Sequence, residues 1–372
     1  MFHSQHRTDV FIVGGGPAGL AAAIAASQKG FSVTLADGAA PPIEKPCGEG
    51  MMPETLAALH SLGVDLRSTS AQKLRGISFA QEDAQVFADF PHGVGLGLRR
   101  PVLHAQLVAR AEECGVHLLW NTPVRGIDAG IVQLTNEAFP ARWIIGADGQ
   151  GSRVRRWSAL DQTHRLTRRH AVRQHYRVKP WSEYAQVFWG PRAQAYVTPV
   201  GPQEVCVVLM SDFSTNASFE NALCELPRLR DHLCGAQPTS RERGAISVMC
   251  SLQNVQRDNV ALIGDASGGV DAITGEGLRL AFRQAFALAE AMAARDLSQY
   301  QRAHRQLAAR PMLMGRLMLW LGRHPQIRSR AIRAMQSNPE LFARLLATHT
   351  GEGSSVELFS ASASLGWRLL AT

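Results

Sequence analysis

Paired cysteines are missing from this chain. Its six cysteines, at 47, 114, 206, 224, 234 and 250, form no C-x-x-C pair and fall in no Cys/His zinc spacing. That argues against a disulfide framework and against a bound metal. No lysine-rich tract, zinc-finger spacing or RNP-like segment accompanies the net charge of +8. The scattered arginines therefore favour anionic partners such as phosphates or acidic headgroups, and nothing points to nucleic acid. Long apolar runs are missing too: the longest, PMLMGRLMLWLG at 311–322, holds an arginine and is shorter than the roughly 18 residues a bilayer span needs. Residues 1–16 pass straight into a glycine-rich turn with no leader-like apolar segment, which gives the expectation of a cytoplasmic protein. There is no internal repeat and no low-complexity segment, although 351–365 reads as loosely ordered.

What is present is an ordinary folded composition, 45% hydrophobic and 19% charged over 372 residues, enough for about two domains. DVFIV (9–13) is a β-branched and aromatic run ending in glycines, PAGLAAAIAASQKG (17–30) is an alanine-rich helix stopped by Gly30, and FSVTLAD (31–37) is a second strand. Together they make a βαβ unit. Proline at the first helical position and glycine past the last bracket two further helices, Pro53 to Gly63 and Pro101 to Gly115. Between 184 and 210, short apolar runs broken by Gly-Pro pairs predict antiparallel strands. A buried strand follows at 258–264, then a long amphipathic helix from 275, and a wholly helical run over about 298–346.

The glycines Gly14, Gly16 and Gly19 follow the first strand and open its helix, with Pro17 and Ala18 between the last two. The first permits a tight turn, the second lets backbone approach a pyrophosphate, the third lets helix pack on strand, and free N–H groups at the helix start bind the anion. Asp37 ends the second strand, where its carboxylate can accept from a ribose hydroxyl, favouring NAD or FAD over NADP. Two more segments end strands in comparable turns: WIIGADGQGSRVRR (143–156), with Asp148, Ser152 and Arg155, and ALIGDASGGVDAITGEGL (261–278), with Gly264 and Asp265.

Together the three motifs resemble the signature of the para-hydroxybenzoate-hydroxylase-like flavoproteins, the class of single-component FAD monooxygenases and geranylgeranyl reductases. The resemblance covers most of residues 8–295. It implies an α/β chain of two domains: a Rossmann-like FAD-binding domain (1–72, 95–165 and 255–297), an interleaved antiparallel-sheet substrate domain (73–94 and 166–254), and a C-terminal helical region (298–372). It implies tightly bound FAD with NAD(P)H as a transient reductant. It places Asp37 on the adenosine ribose, Arg100 near the FAD phosphates, Val124 beside the adenine, Asp265 on the flavin's ribose or ribityl hydroxyls, and Gly275, Glu276 and Gly277 at the flavin N1/O2 edge. A helix start there would stabilise the negative charge of a reduced flavin. Asp148 receives no single role.

Cys47 sits in KPCGEGMMP (45–53), where geranylgeranyl reductases have a Cys-Gly-x-Gly-like segment beside the isoalloxazine. Cys47 and Gly48 are therefore assigned to the flavin's seat, the glycines explained by backbone approaching a flat ring. Cys47 is the one candidate catalytic residue, its thiol open to activation by Lys45. The third motif departs from the hydroxylases, with Gly268, Gly269 and Ala272 where they carry a histidine and prolines, and looks more like the reductase branch. The Trp-x-Trp-x-Ile-Pro segment of flavin-dependent halogenases is absent.

Tyr184, Phe188, Trp189 and Tyr196 are the candidates to line a substrate pocket under the roofing sheet, while His170 and His175, open as acid–base candidates, read rather as surface or packing residues among the arginines of their strand. Arg302, Arg305, Arg310, Arg316, Arg323, Arg328, Arg330 and Arg333, interleaved with Met312, Leu313, Leu317, Trp320 and Leu321, suit basic helices resting on an anionic membrane. The plainer reading is a helical layer packed on the FAD domain with solvated arginines. The leading expectation is a monooxygenase hydroxylating an apolar aromatic or polyketide-like molecule, as in secondary metabolism, with O2 through a flavin C4a-hydroperoxide. The alternative is reduction of isolated C=C bonds in a prenyl or lipid substrate. A halogenase or a non-catalytic flavin-binding protein is the remote alternative.

Overall fold

The structure, a computed structural model, describes residues 8–212 and 219–350; the tail at 351–365 lies outside the described residues. Its first sheet has five parallel strands in the spatial order Val260–Leu262, Ala138–Gly146, Thr8–Val13, Val33–Ala36 and His117–Leu119. Val10, Phe11 and Ile12 are fully buried, as expected for a parallel strand covered on both faces. The helix Pro17–Gln28 starts from an uncapped Gly16 with Pro17 at its first turn, and Gly30 leaves it at φ +83°. The other two bracketed helices run Pro53–Ser61 and Arg100–Glu113, with Gly63 and Gly115 at φ +78° and +74°.

Nine strands form a second sheet, ordered Gly268–Gly269, Arg243–Leu252, Thr163–Arg177, Glu204–Asp212, Ala193–Gly201, Tyr184–Trp189, Gly76–Gln81 and Ala84–Asp89, with Gln237–Pro238 on the flank of Thr163–Arg177. All neighbours are antiparallel except Tyr184–Trp189 beside Gly76–Gln81. Two chain segments far apart in sequence thus share one roof. A small third sheet, Gly50–Met51, Gly95–Gly97 and Gln72–Leu74, joins the Cys47 segment to this frame.

The helical run is three helices, Leu297–Arg323, Pro325–Ser337 and Pro339–Thr350. The first starts on the dinucleotide-binding side, where the buried Tyr300 hydroxyl donates to Leu262 O at 2.7 Å. The other two pack on the roof instead: Ile332, Met335, Leu341, Phe342 and Leu346 share a core with Val86, Val187 and Trp189. The helical layer therefore spans both sheets and is not confined to the FAD domain.

A Cβ on Gly19 would stand 1.9 Å from Gly14 O, so helix and turn meet with no room for a methyl group. Gly19→Ala is expected to cost about 1–3 kcal/mol through overpacking, read as a lower thermal midpoint of the flavin-loaded protein. An unchanged midpoint would contradict this packing.

Candidate active site

The glycine turn builds an anion cradle. Gly14, at φ +112°, passes so close to Ala147 that a Cβ would lie 2.5 Å from Ala147 O, whereas a Cβ on Gly16 would meet nothing within 4 Å. The open face at Gly16 is where a ligand can approach backbone. With no side chain capping the helix Pro17–Gln28, its first-turn N–H groups remain available to a pyrophosphate. Asp37 Oδ2 accepts from Gly15 N at 2.6 Å and Oδ1 from Ala39 N at 2.8 Å, which fixes the carboxylate at the cavity wall. These residues fit the adenosine diphosphate half of FAD.

At the other end, Gly275 adopts φ +66° and the helix Gly277–Ala293 also begins without a side-chain cap. Its free N–H groups suit an electron-rich ring edge. Glu276 turns away: its side chain is buried against Arg279 (2.8 Å to Nη2) and lies 3.4 Å from His349. The resemblance placed it at the flavin edge; the Arg279 pair holds its carboxylate inside the protein, and Glu276 does not line the cavity that Gly275 and Gly277 line. Asp265 lines the cavity and forms an ion pair with Lys45. Lys45 is thus committed to Asp265. Asp148 gains a defined part, accepting from Ser152 Oγ and Arg153 N, both at 2.6 Å, and so capping the short helix Arg153–Trp157. Arg155 ties this turn to the third motif, donating to Gln150 O at 2.8 Å and Ala266 O at 3.3 Å.

The segment around Cys47 is anchored by its neighbour Glu49. This residue stands at φ +58° and is buried. Its Oε1 accepts from Arg100 N at 2.9 Å and Arg173 Nη1 at 3.1 Å, and its Oε2 lies 2.7 Å from His175 Nε2. Ser240 Oγ holds the opposite ring nitrogen, 2.9 Å from His175 Nδ1. His175, read from sequence as surface or packing, is a buried partner of this carboxylate. Cys206 Sγ joins Glu49 and His175 within 4.8 Å, but the carboxylate is already neutralised by Arg173, which suits an ion-pair hub better than a cation site. Beside it, the Arg100 guanidinium reaches Cys47, with Nη1 3.9 Å from Sγ. The cation next to the thiol is therefore Arg100, not Lys45. A Cβ on Gly48 would come 3.2 Å from the Tyr196 ring, so the roof strand, as well as any ring ligand, requires that glycine.

One cavity of about 990 Å³ joins all of this. It is lined by Gly14, Gly16, Pro17, Ala18, Asp37, Cys47, Gly48, Arg100, Val124, Gly264, Asp265, Gly275 and Gly277, and continues under the C-terminal helices to Met335 and Phe342. Gly19 packs in the interior, as its helix-to-strand role requires. Of the four aromatics, Trp189 and Tyr196 line the cavity; Phe188 and Tyr184 do not. Strand alternation explains the first pair of neighbours: Val187 and Trp189 face inward, and Phe188 packs on the opposite face with Leu209, Phe219 and Leu226. Tyr184 is drawn to the outer edge, where its hydroxyl donates to Asp89 at 2.5 Å.

A glycine cradle, a second uncapped helix and an interleaved roof define a two-layer dinucleotide-binding flavoprotein. The chain belongs to the family described as FAD binding domain, whose profile matches residues 7–303, and is an FAD-dependent oxidoreductase of the para-hydroxybenzoate-hydroxylase-like class. It is similar to the menaquinone reductase of Mycobacterium tuberculosis (strain ATCC 25618 / H37Rv), 27% identical over 318 residues and 78% of each chain. It is also similar to digeranylgeranylglycerophospholipid reductase 2 of Methanosphaera stadtmanae, 26% identical over 74% of this chain and 75% of that one. Among solved structures, a flavin-dependent brominase superposes with a TM-score of 0.82 at 17% identity, covering 97% of this chain and 99% of that one; the likeness concerns the fold.

Burial pushes the Glu49 carboxyl up, but the hydrogen bond and charge of His175, the Arg100 amide and Arg173 outweigh it and hold it below its ordinary value. A depressed folded value means that the stabilisation is full above the unfolded carboxylate value of about 4.3 and is lost as pH falls through the lower folded value. Glu49→Gln is expected to destabilise by about 1–3 kcal/mol at neutral pH, since it removes a charge-assisted hydrogen bond from the buried Arg173, which keeps only Glu44 as its carboxylate partner. Thermal midpoints of variant and wild type should converge in acid; a constant gap across pH would contradict the assignment.

Proposed function

We propose that the protein reduces an isolated carbon–carbon double bond in an apolar, isoprenoid-like chain. The observation that carries this reading is the continuity of the cavity: beyond Cys47 and Gly277 it runs on between Phe79, Val187, Met318, Ile332 and Phe342, a wall suited to a flexible hydrocarbon. The two relatives' names, a menaquinone reductase and a digeranylgeranylglycerophospholipid reductase, support the same choice over the hydroxylation that the sequence favoured. When bound and reduced, FAD would supply hydride chemistry to one alkene carbon, with NAD(P)H as our proposed reductant. The other carbon takes a proton, and Cys47 Sγ, on the cavity wall beside Arg100, is placed to hold it. Tyr196, buried and with its hydroxyl turned to Met210, packs the roof above Gly48.

The expected product of an anaerobic incubation with reduced flavin and a geranylgeranyl alcohol gains two hydrogens by mass spectrometry. A product that forms only with O2 and carries an added oxygen would overturn the proposal in favour of a monooxygenase. Cys47→Ser is expected to lower kcat about a hundredfold, within the range of a lost proton donor, with KM little changed. A KM effect alone would make Cys47 a packing residue.

The cavity opens where Leu317 and Trp320 both line it and face solvent, next to the exposed Leu313, Arg316 and Arg323. No helix among the described residues is long and apolar enough to cross a membrane. We propose that this face rests on an anionic bilayer from which the substrate enters. Sedimentation with phosphatidylglycerol vesicles should capture the protein, phosphatidylcholine vesicles should not, and Trp320→Glu should abolish capture. Equal recovery with both lipids would contradict an electrostatic contact.

A further inference from the structure

Seven of the eight arginines between 302 and 333 are exposed; Arg328 is buried, at 3% exposure. Its Nε donates to Gln81 Oε1 at 2.6 Å, Nη2 to Gly190 O at 3.0 Å and Nη1 to Gly322 O at 3.4 Å, and the guanidinium lies 4.9 Å from the Trp189 ring centre. Every one of these partners is neutral. Three of the five other buried arginines have a carboxylate: Arg173 pairs with Glu49, Arg169 with Asp271 and Arg279 with Glu276, while Arg155 bonds to the carbonyls of Gln150 and Ala266 and the Arg100 guanidinium reaches Cys47. Among the described residues Arg328 has none within ion-pair distance. A guanidinium offers five N–H donors, so two remain after these three bonds, and Arg328 lines the cavity.

A second, independent observation lies on the same wall. Trp189 is 4% exposed and lines the cavity, yet its indole Nε1 is buried without a hydrogen-bond partner. A buried, unpaired donor is costly and is normally satisfied by protein, water or ligand. An uncompensated cation in a low-dielectric site is costlier still. Burial lowers the Arg328 value to about 10, with Glu82 partly offsetting it, so the group is charged at neutral pH.

We infer that Arg328 and the Trp189 indole N–H hold the carboxylate end of the substrate, which is therefore an acid-headed apolar chain rather than a neutral hydrocarbon. One uncompensated cation balances one negative charge, and the planar fork of a guanidinium matches a carboxylate. A diphosphate brings more charge than this wall neutralises. The inference rests on the reading of the apolar arm as the substrate site and names the chemistry at its end.

Binding of dodecanoate, methyl dodecanoate, dodecanol and dodecyl diphosphate to the FAD-loaded protein, followed by tryptophan and flavin fluorescence, tests it. Dodecanoate is expected to bind at least about tenfold more tightly than its ester or alcohol, the scale of a charge-assisted bond. Arg328→Gln should erase that preference, and Trp189→Phe, which keeps the ring but removes the donor, should reduce it by about threefold or more. Equal binding of acid, ester and alcohol would overturn the role of Arg328 and leave the apolar arm intact as a substrate site. An undiminished preference in Arg328→Gln, or tighter binding of the diphosphate, would overturn it as well. Failure of all four to bind would overturn both the inference and the reading of the arm. If Arg328→Gln does not fold, the wild-type acid-to-ester ratio and Trp189→Phe still decide the matter.

Discussion

The buried carboxylate of Glu49 is the point on which the site depends. It receives the amide of Arg100 at the start of one helix, the guanidinium of Arg173 and the ring of His175 on the roof strand Thr163–Arg177. Three parts of the chain that share no local sequence are thereby joined at one atom pair. Such a carboxylate is stable only while its partners stay in place, since removing them leaves an uncompensated charge inside the protein. The position of Cys47, two residues earlier, follows from that constraint, as does the approach of Arg100 to its thiol.

The same joining of layers produces the cavity. The parallel sheet contributes the glycine cradle, the roof contributes Val187, Trp189 and Tyr196, and the C-terminal helices contribute Met318, Ile332 and Phe342. None of these layers encloses space alone. Helices that cross from the dinucleotide-binding side to the roof convert an open cleft into a long apolar arm with a polar, flavin-facing end. That division suits a reaction in which the protein binds a chain and positions one bond, while the cofactor carries the redox chemistry.

Local signals carried far in this sequence. The glycine spacing after DVFIV, the proline and glycine brackets at Pro53, Gly63 and Gly115, and the three strand-ending turns are all backbone requirements that residue type reveals. What stayed hidden depends on partners distant along the chain. Glu49 is conspicuous between two glycines, but nothing in its neighbourhood points to Arg173 or His175. Phe188 and Trp189 are adjacent aromatics on a strand buried on both faces, so alternation separates them without saying which side holds the cavity. Lys45 reads as the cation for Cys47 because it is close in sequence, whereas the fold brings Asp265 to it. Arg328 was indistinguishable in a row of arginines until the helix Pro325–Ser337 turned it inward.

The central claim is that a double bond, not dioxygen, is the oxidant that this flavin site is built to meet. The most direct measurement is the colour of the bound flavin in a single anaerobic turnover. The protein is first reduced and bleached, then mixed with a polyprenyl substrate in the absence of oxygen. The expected result is return of the yellow oxidised flavin in step with loss of the alkene. A flavin that stays bleached with the substrate bound, and regains its colour only when oxygen is admitted, would contradict the account.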